Sequence, residues 1–397
     1  MNILFFTFNK VCPTCGGTER TTISTATGLT EKYGCRCFSL YESLSDSAKV
    51  DCFVDECCWA GKNKMFEKLD LLKKYVIDNN ISVVIIQGSF IHTKLFSQCL
   101  EGTRCKVLFA HHFEPGSELR FLSFAYTINH SSCKSLKGFV RLVTNIILFP
   151  YLHKKSIESL KRNYHDTYNY AGKVVLLSKS FIEPYKKFAG IHSSDKFVTI
   201  PNALSFSEFL KPSDLLLKKK VVLIVARFDD KFKNISLALR IWAKIQKSEM
   251  SKDWILKLVG HGKDLKLYQN IISNENIPNV SIEGRQNPVP YYKEASLFMM
   301  TSNSESWGLT LTEAMQFGTV PIAMNTYPTL SEIITNNMDG VIVSEGDVEG
   351  YASGMLSLMK DGDKRERMAI AAIESSKRFS QETISDKWYG LLTSLFK

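Results

Sequence analysis

"LFMMTSNSESWGLTLTEAMQFGTVPIAMN", residues 297–325, carries the reading of the fold. "LFMMTS" and "VPIAMN" are short apolar runs of strand length, and "TLTEAMQFG" between them has the length and spacing of a helix. Two strands joined through a helix run parallel, and near-continuous apolar strands belong to sheets covered on both faces. The polar connection holds Glu305, and Glu313 follows inside the helix after seven intervening residues.

The same alternation runs outward to both ends. "KVVLIVA", "WILKLVG", "VSIEG" and "GVIVS" read as further strands of the second half, with "ISLALRIWAKIQ" as a helix among them. In the first half "NILFFTF", "SVVIIQG", "CKVLFAH" and "KVVLLS" are strands, and "MFEKLDLLKKYVIDNN" is a helix. No internal repeat interrupts the pattern. A chain of 397 residues, 44% hydrophobic, exceeds one core, so the expected architecture is α/β with two Rossmann-like domains. The first spans 1–204 and the second 205–379, with "SFSEFLKPSDLLLKKK" at the junction and a terminal helix, about 380–397, packing back on the first. Ligands of such sheets bind at the carboxyl ends of the strands, and two facing domains would line one cleft with those ends.

The loop after the first strand, "NKVCPTCGGTER" (residues 9–20), offers two readings. Either Cys12 and Cys15 form a redox or metal pair, or Gly16 and Gly17 bring backbone N–H groups and a helix N-terminus up to a phosphate. All ten cysteines fall between Cys12 and Cys133, and none provides the second paired knuckle of a structural zinc site. The opening residues have no basic stretch ahead of their apolar run, which predicts no export signal, a reducing compartment and no stable disulfides. A C-x-x-C thiol oxidoreductase stays an alternative, although nothing else here has the layout of that small fold.

Charge is uneven. Residues 1–200 carry 26 Lys+Arg against 17 Asp+Glu, and residues 201–397 carry 24 against 23. Residues 134–162 hold Lys134, Lys137, Arg141, Lys154, Lys155, Lys161 and Arg162 with one acid, Glu158, around an apolar and aromatic centre. Such a segment suits peripheral contact with an anionic membrane surface; the plain alternative is a buried helix with a solvated basic flank. A basic nucleic-acid binder is the third possibility, but no RNP-like, zinc-finger or helix-turn-helix pattern accompanies the charge, and no nucleic acid is expected as a partner. No apolar stretch reaches the length of a membrane span.

With these residues in view, the sequence resembles the retaining glycosyltransferases of family 4. The resemblance rests on Glu305 and Glu313 as an E-x7-E pair in "ESWGLTLTE", on "VLIVARFDDKFKN", "LVGHGKD" and "TLSEIITNNMDGVIV", and on "GGTER", "LLSKSFIEPY" and "VTIPNALS" in the first half. It implies a GT-B fold and a nucleoside-diphosphate-sugar donor, UDP-sugar favoured, with no metal or other cofactor. It also implies that Arg227 and Lys233 contact the diphosphate, with Lys231 a competing choice because the spacing from arginine to lysine is one longer than the family's usual one. N–H groups around Gly308 and Leu309 would complete that anion site, with Gly16 and Gly17 facing it. The resemblance sets Glu305 on the transferred sugar, Glu313 on the ribose, and His112, with His111 its neighbour, against the sugar from the loop after "CKVLFA". "GHGK" at residues 260–263 lacks P-loop spacing and reads as a turn near the base, and "DGD" at residues 361–363 reads as a polar surface turn.

The resulting expectation is a retaining hexosyltransferase, cytoplasmic and peripheral on the inner face of the inner membrane. It would move a hexose or N-acetylhexosamine to a lipid-linked glycan of a surface polysaccharide. A soluble enzyme using a small or free glycan acceptor is the alternative within the same chemistry.

Overall fold

The run "NILFFTF" becomes the strand β1 (Asn2–Asn9), and its residues Ile3, Leu4, Phe5 and Phe6 have no exposed surface. That degree of burial requires cover on both faces of the sheet, which the surrounding helices supply. The molecule is a computed structural model describing residues 1–12, 16–43, 49–59, 65–122, 146 and 148–397. Lys134, Lys137, Arg141, Cys15 and Cys133 lie outside the described residues.

The chain divides into two compact units. Unit 1 comprises Met1–Pro201 and Lys387–Lys397, and unit 2 comprises Asn202–Asp386. Unit 1 is built on a parallel sheet of β1, β2 (Arg36–Ser43), β3 (Phe53–Cys58), β4 (Val83–Gln87), β5 (Lys106–His111), β6 (Lys173–Leu176) and β7 (Phe197–Thr199), in the order β3-β2-β1-β4-β5-β6-β7. β1 pairs with β2 through Ile3↔Cys37 and with β4 through Ile3↔Val83. The last residues of the chain belong to this unit, where Tyr389 stacks on Tyr33 with ring centroids 3.8 Å apart.

Unit 2 repeats the plan with β8 (Lys219–Val225), β9 (Ile255–Val259), β10 (Val280–Gly284), β11 (Ala295–Met300), β12 (Val320–Asn325) and β13 (Val341–Ser344), in the order β10-β9-β8-β11-β12-β13. Its core joins Val222, Leu256 and Leu297 of the sheet to Trp242, Trp254, Tyr268 and Tyr351 around it. Trp242 buries its ring and donates its indole N–H to the Pro278 carbonyl at 3.0 Å, so the large side chain leaves no polar atom unpaired.

In each unit the chain leaves one central strand, builds outward on one side, then returns to the other side. The reversal falls between β1 and β4 in unit 1 and between β8 and β11 in unit 2. The loops at the carboxyl ends of those strand pairs flank the crevice where open α/β sheets receive their ligands.

One expectation is corrected. Cys12 is disulfide-bonded, while Cys35, Cys37, Cys52, Cys57, Cys58, Cys99 and Cys105 are free. The argument from compartment concerns whether a disulfide persists and has no bearing on whether the chain brings two sulfurs together.

Candidate functional site

In unit 2, β8 ends at Val225 and releases a loop carrying Arg227, Lys231 and Lys233, while its neighbour β11 ends at Met300 and releases the loop carrying Glu305. The two loops are laced together. Asn303 N–H donates to the Phe232 carbonyl at 2.8 Å, the Asn303 side-chain amide to the Lys231 carbonyl at 3.1 Å, and the Thr301 hydroxyl to the Asn234 carbonyl at 2.9 Å. Asn234 makes this possible by taking a left-handed conformation, φ 48°, between the helices Asp230–Lys233 and Ile235–Ile245, where asparagine is the least strained residue after glycine. Below the loops, the Tyr351 hydroxyl accepts from Met300 N–H at 3.0 Å and donates to the Ile322 carbonyl, fixing the end of β11.

Lys233 and Glu305 meet in this frame. The lysine ammonium donates to Glu305 Oε1, and the Ser302 hydroxyl donates to the same oxygen at 2.8 Å. Both charged side chains are largely buried, at 22% and 12% exposure, which lowers the local dielectric and strengthens the pair. They line a small cavity with Ala226, Thr301 and Thr310. Lys231 does not line it and is exposed. Arg227 is exposed as well, its nearest acid being Asp229 at 3.9 Å, so its guanidinium can swing.

Gly308 caps the helix Leu309–Gln316 at φ 84°, a conformation glycine adopts without strain, and a Cβ there would sit 3.1 Å from the Tyr327 hydroxyl. One turn in, Glu313 is fully buried. The Ser205 hydroxyl donates to Oε1 at 2.5 Å and the Tyr292 hydroxyl to Oε2 at 3.0 Å. Tyr292 is itself anchored through its carbonyl, which accepts from Lys218 Nζ at 2.9 Å and Thr319 Oγ1 at 2.7 Å. Burial pushes the Lys218 ammonium down to about 7.

"GHGK" buttresses the loop after β8. A Cβ on Gly260 would lie 1.8 Å from the Ala226 carbonyl oxygen, and Phe228 N–H donates to the His261 carbonyl at 2.8 Å. Only glycine permits that approach, beside Arg227. In "DGD", the Asp361 carboxylate caps the helix Gly362–Ser376 by accepting from Lys364 N–H at 2.8 Å.

Unit 1 presents different chemistry. Gly16 caps the helix Gly17–Tyr33 in an extended conformation that any residue adopts, and Glu19 Oε2 would lie 2.7 Å from a Cβ added there. A carboxylate therefore already faces this positive helix end, and a phosphate would have to displace it. His111, the last residue of β5, is 1% exposed and ringed by Phe90, Phe109, Tyr164 and Tyr185. His112 is half-buried and its Nε2 is hydrogen-bonded to Gln87 Oε1. Burial drives both imidazoles down, His111 to about 3 and His112 to about 4, so both are neutral at ordinary pH.

Sequence reasoning missed several of these groups. Ser205, Tyr292, Asn234, Asn303 and Gln87 act through partners remote in sequence, and only the polar end of "SVVIIQ" hinted at Gln87. It also missed a chain at the carboxyl ends of β2 and β4, in which Ser89 Oγ lies 2.6 Å from His92 Nδ1 and His92 Nε2 lies 2.9 Å from Glu42 Oε1.

Comparison with known proteins bears on the fold and on the second unit. Residues 206–375 match the family model described as glycosyl transferases group 1. Anabaena Alr3699/HepE, solved in complex with UDP, superposes with a TM-score of 0.71 at 16% identity, covering 99% of this chain and 100% of that one. The chain has the GT-B fold. This GT-B chain is also 23% identical over 248 residues to an uncharacterized glycosyltransferase of Haemophilus influenzae, covering 57% of this chain and 68% of the relative. It is 22% identical over 228 residues to the poly(glycerol-phosphate) alpha-glucosyltransferase of Bacillus subtilis, where the match covers 56% of this chain and spans 33% of the relative.

Proposed function

We propose that this protein is a retaining glycosyltransferase of the family 4 type. It takes a hexose or N-acetylhexosamine from a nucleoside-diphosphate sugar, UDP-sugar favoured, and passes it to a lipid-linked glycan in surface polysaccharide synthesis. The observation that carries the reading is the Lys233–Glu305 pair at the carboxyl ends of β8 and β11. A fixed ammonium is what a departing diphosphate needs, and a carboxylate beside it is what sugar hydroxyls need. UDP in HepE and the alpha-glucosyl product in the name of the Bacillus relative support donor class and stereochemistry.

In the proposed cycle the diphosphate takes Lys233 from Glu305, and Arg227 swings onto the second phosphate. Released from the ammonium, Glu305 accepts hydrogen bonds from the sugar, while N–H groups at Gly308 and Leu309 add donors at the helix start. The acceptor hydroxyl attacks the anomeric carbon from the face the diphosphate leaves. The new C–O bond forms as the bond to phosphate breaks, and a phosphate oxygen takes the hydroxyl proton. Neutral His112 contributes a hydrogen bond to the sugar rather than a charge. Glu313 is assigned to the ribose, a contact for which the fully buried carboxylate must be uncovered. Gly16 and Gly17 have the lesser part, since Glu19 must first move. No metal or other cofactor enters the cycle.

Membrane contact is proposed for the helix Phe149–Tyr170. Lys154, Lys155, Lys161 and Arg162 are exposed on it, and Leu148, Tyr151 and Leu152 are exposed at its start. No described helix is long and apolar enough to cross a membrane. Transfer assays with a panel of labelled nucleotide sugars test the function, with thermal shifts on UDP, GDP and ADP as the first screen. Stabilisation by UDP and transfer with retained configuration are expected. Inversion, or no transfer from any donor, would contradict the reading. Binding to acidic vesicles should weaken with salt and with Lys154→Glu plus Lys155→Glu, and salt-insensitive binding would favour the soluble-acceptor alternative.

A further inference from the structure

We propose that Gln87 is a positioning residue that fixes His112 as its Nε2–H tautomer, leaving Nδ1 as a hydrogen-bond acceptor for a hydroxyl of the transferred sugar. The proposal deepens the donor reading above and rests on it. Gln87 is the last residue of β4, 7% exposed and held in register opposite Ala110 of β5, two residues before His112. Its side-chain oxygen faces Nε2 of the imidazole.

A carbonyl oxygen only accepts, so Nε2 must carry the proton, and in a neutral ring the other nitrogen is then a bare lone pair. Burial keeps the ring neutral, with its protonation pushed down to about 4. His112 Nδ1 is shielded from water and has no hydrogen-bond partner. Buried polar atoms are almost always paired, and one left unpaired in a loop at a strand's carboxyl end calls for a ligand. The adjacent His111 also has an unpartnered Nδ1, but aromatic rings enclose that imidazole on several sides and it is almost unexposed. His112 is the one of the two that is partly exposed. Held by Gln87, it can receive a hydroxyl proton but cannot offer one from Nδ1, which selects a donor sugar carrying a free hydroxyl there.

The test uses the full chain with 15N-labelled histidine and two-bond nitrogen–proton spectra, the His112 signals being assigned by their loss in His112→Phe. The wild type should show the Nε2–H tautomer, and an Nδ1–H tautomer would overturn the proposal even if Gln87→Leu does not fold. In Gln87→Leu the tautomer should become mixed. Turnover should fall about tenfold, the effect of one hydrogen bond, while binding of free UDP stays near wild type. An unchanged tautomer in Gln87→Leu, or turnover equal to wild type, would overturn the positioning role. A wild-type chain that transfers from no nucleotide sugar would instead sink the donor reading and with it the sugar hydroxyl, and the spectra distinguish that failure from a failure of Gln87 to set the tautomer.

Discussion

The two units share a topology and differ in what they put at its reversal point. Between β8 and β11 stands a cation held against an anion, Lys233 on Glu305. Near β1, β4 and β5 stand neutral and hydrogen-bonded imidazoles, His112 on Gln87 and His92 between Ser89 and Glu42. The first arrangement answers a ligand that brings its own negative charge, because the pair can exchange partners at little electrostatic cost. The second answers uncharged hydroxyls, for which direction and tautomer matter more than charge. Under the proposed function, one sheet plan would thus meet a charged diphosphate and uncharged sugar hydroxyls by changing the side chains on its loops.

This contrast breaks most easily at Glu305. Glu305→Ala should lower the transfer rate by about two to three orders of magnitude, since orientation of the reacting carbon is most of what such a site supplies. Steady-state turnover checks it. Wild-type turnover would mean that unit 2 does not handle the sugar.

A smaller effect separates a contact residue from its support. Tyr292→Phe removes one hydrogen-bond donor to the buried Glu313 carboxylate, which should cost about 1–3 kcal/mol in urea unfolding. No loss would mean that the oxygen finds another donor.

The third effect sharpens the comparison through pH. Of the eight histidines only His261 lies in unit 2, and His111 and His112 of unit 1 have folded values of about 3 and about 4 against an ordinary 6.5. As pH falls below 6.5 the unfolded chain takes up protons that the folded one refuses. Their contribution to the stability of unit 1 is therefore complete above pH 6.5 and declines toward pH 4, by up to about 1.4 kcal/mol per pH unit for each group. Urea melts at several pH values, read by pulsed hydrogen exchange in β5 and β11 peptides, should show the decline in β5 alone, flattened by His111→Phe. Equal acid sensitivity in both units would remove the distinction.

Legibility followed the same division. In unit 2 every strand was read from its apolar run, including the partly buried β10 and β13, and the charged loops stood out between them. In unit 1, β2, β3 and the short β7 escaped notice. "RCFSLYES" alternates cysteine and serine with apolar residues, and "FVDECC" is an edge strand interrupted by two acids, Asp55 exposed and Glu56 paired with Lys10. At the site, Lys233 and Glu305 were named from their neighbours in sequence, but their mutual contact was not, since it joins residues 72 apart. Gln87 and His112 lie 25 apart, and His92 and Glu42 lie 50 apart, so no local pattern announces them. Burial of Glu313 was equally hidden, because Ser205 lies 108 residues away and on the far side of β8 in sequence.

The exchange of partners by Lys233 is the claim on which the donor site depends, and titration calorimetry with free UDP tests it directly. Lys233→Ala should weaken binding about tenfold to a hundredfold, the loss of one charge-assisted contact, while Lys231→Ala changes little. Glu305→Ala should bind UDP as tightly as the wild type or more tightly, because the carboxylate that competes for Lys233 is gone. Weakening by Glu305→Ala equal to that by Lys233→Ala would contradict the account.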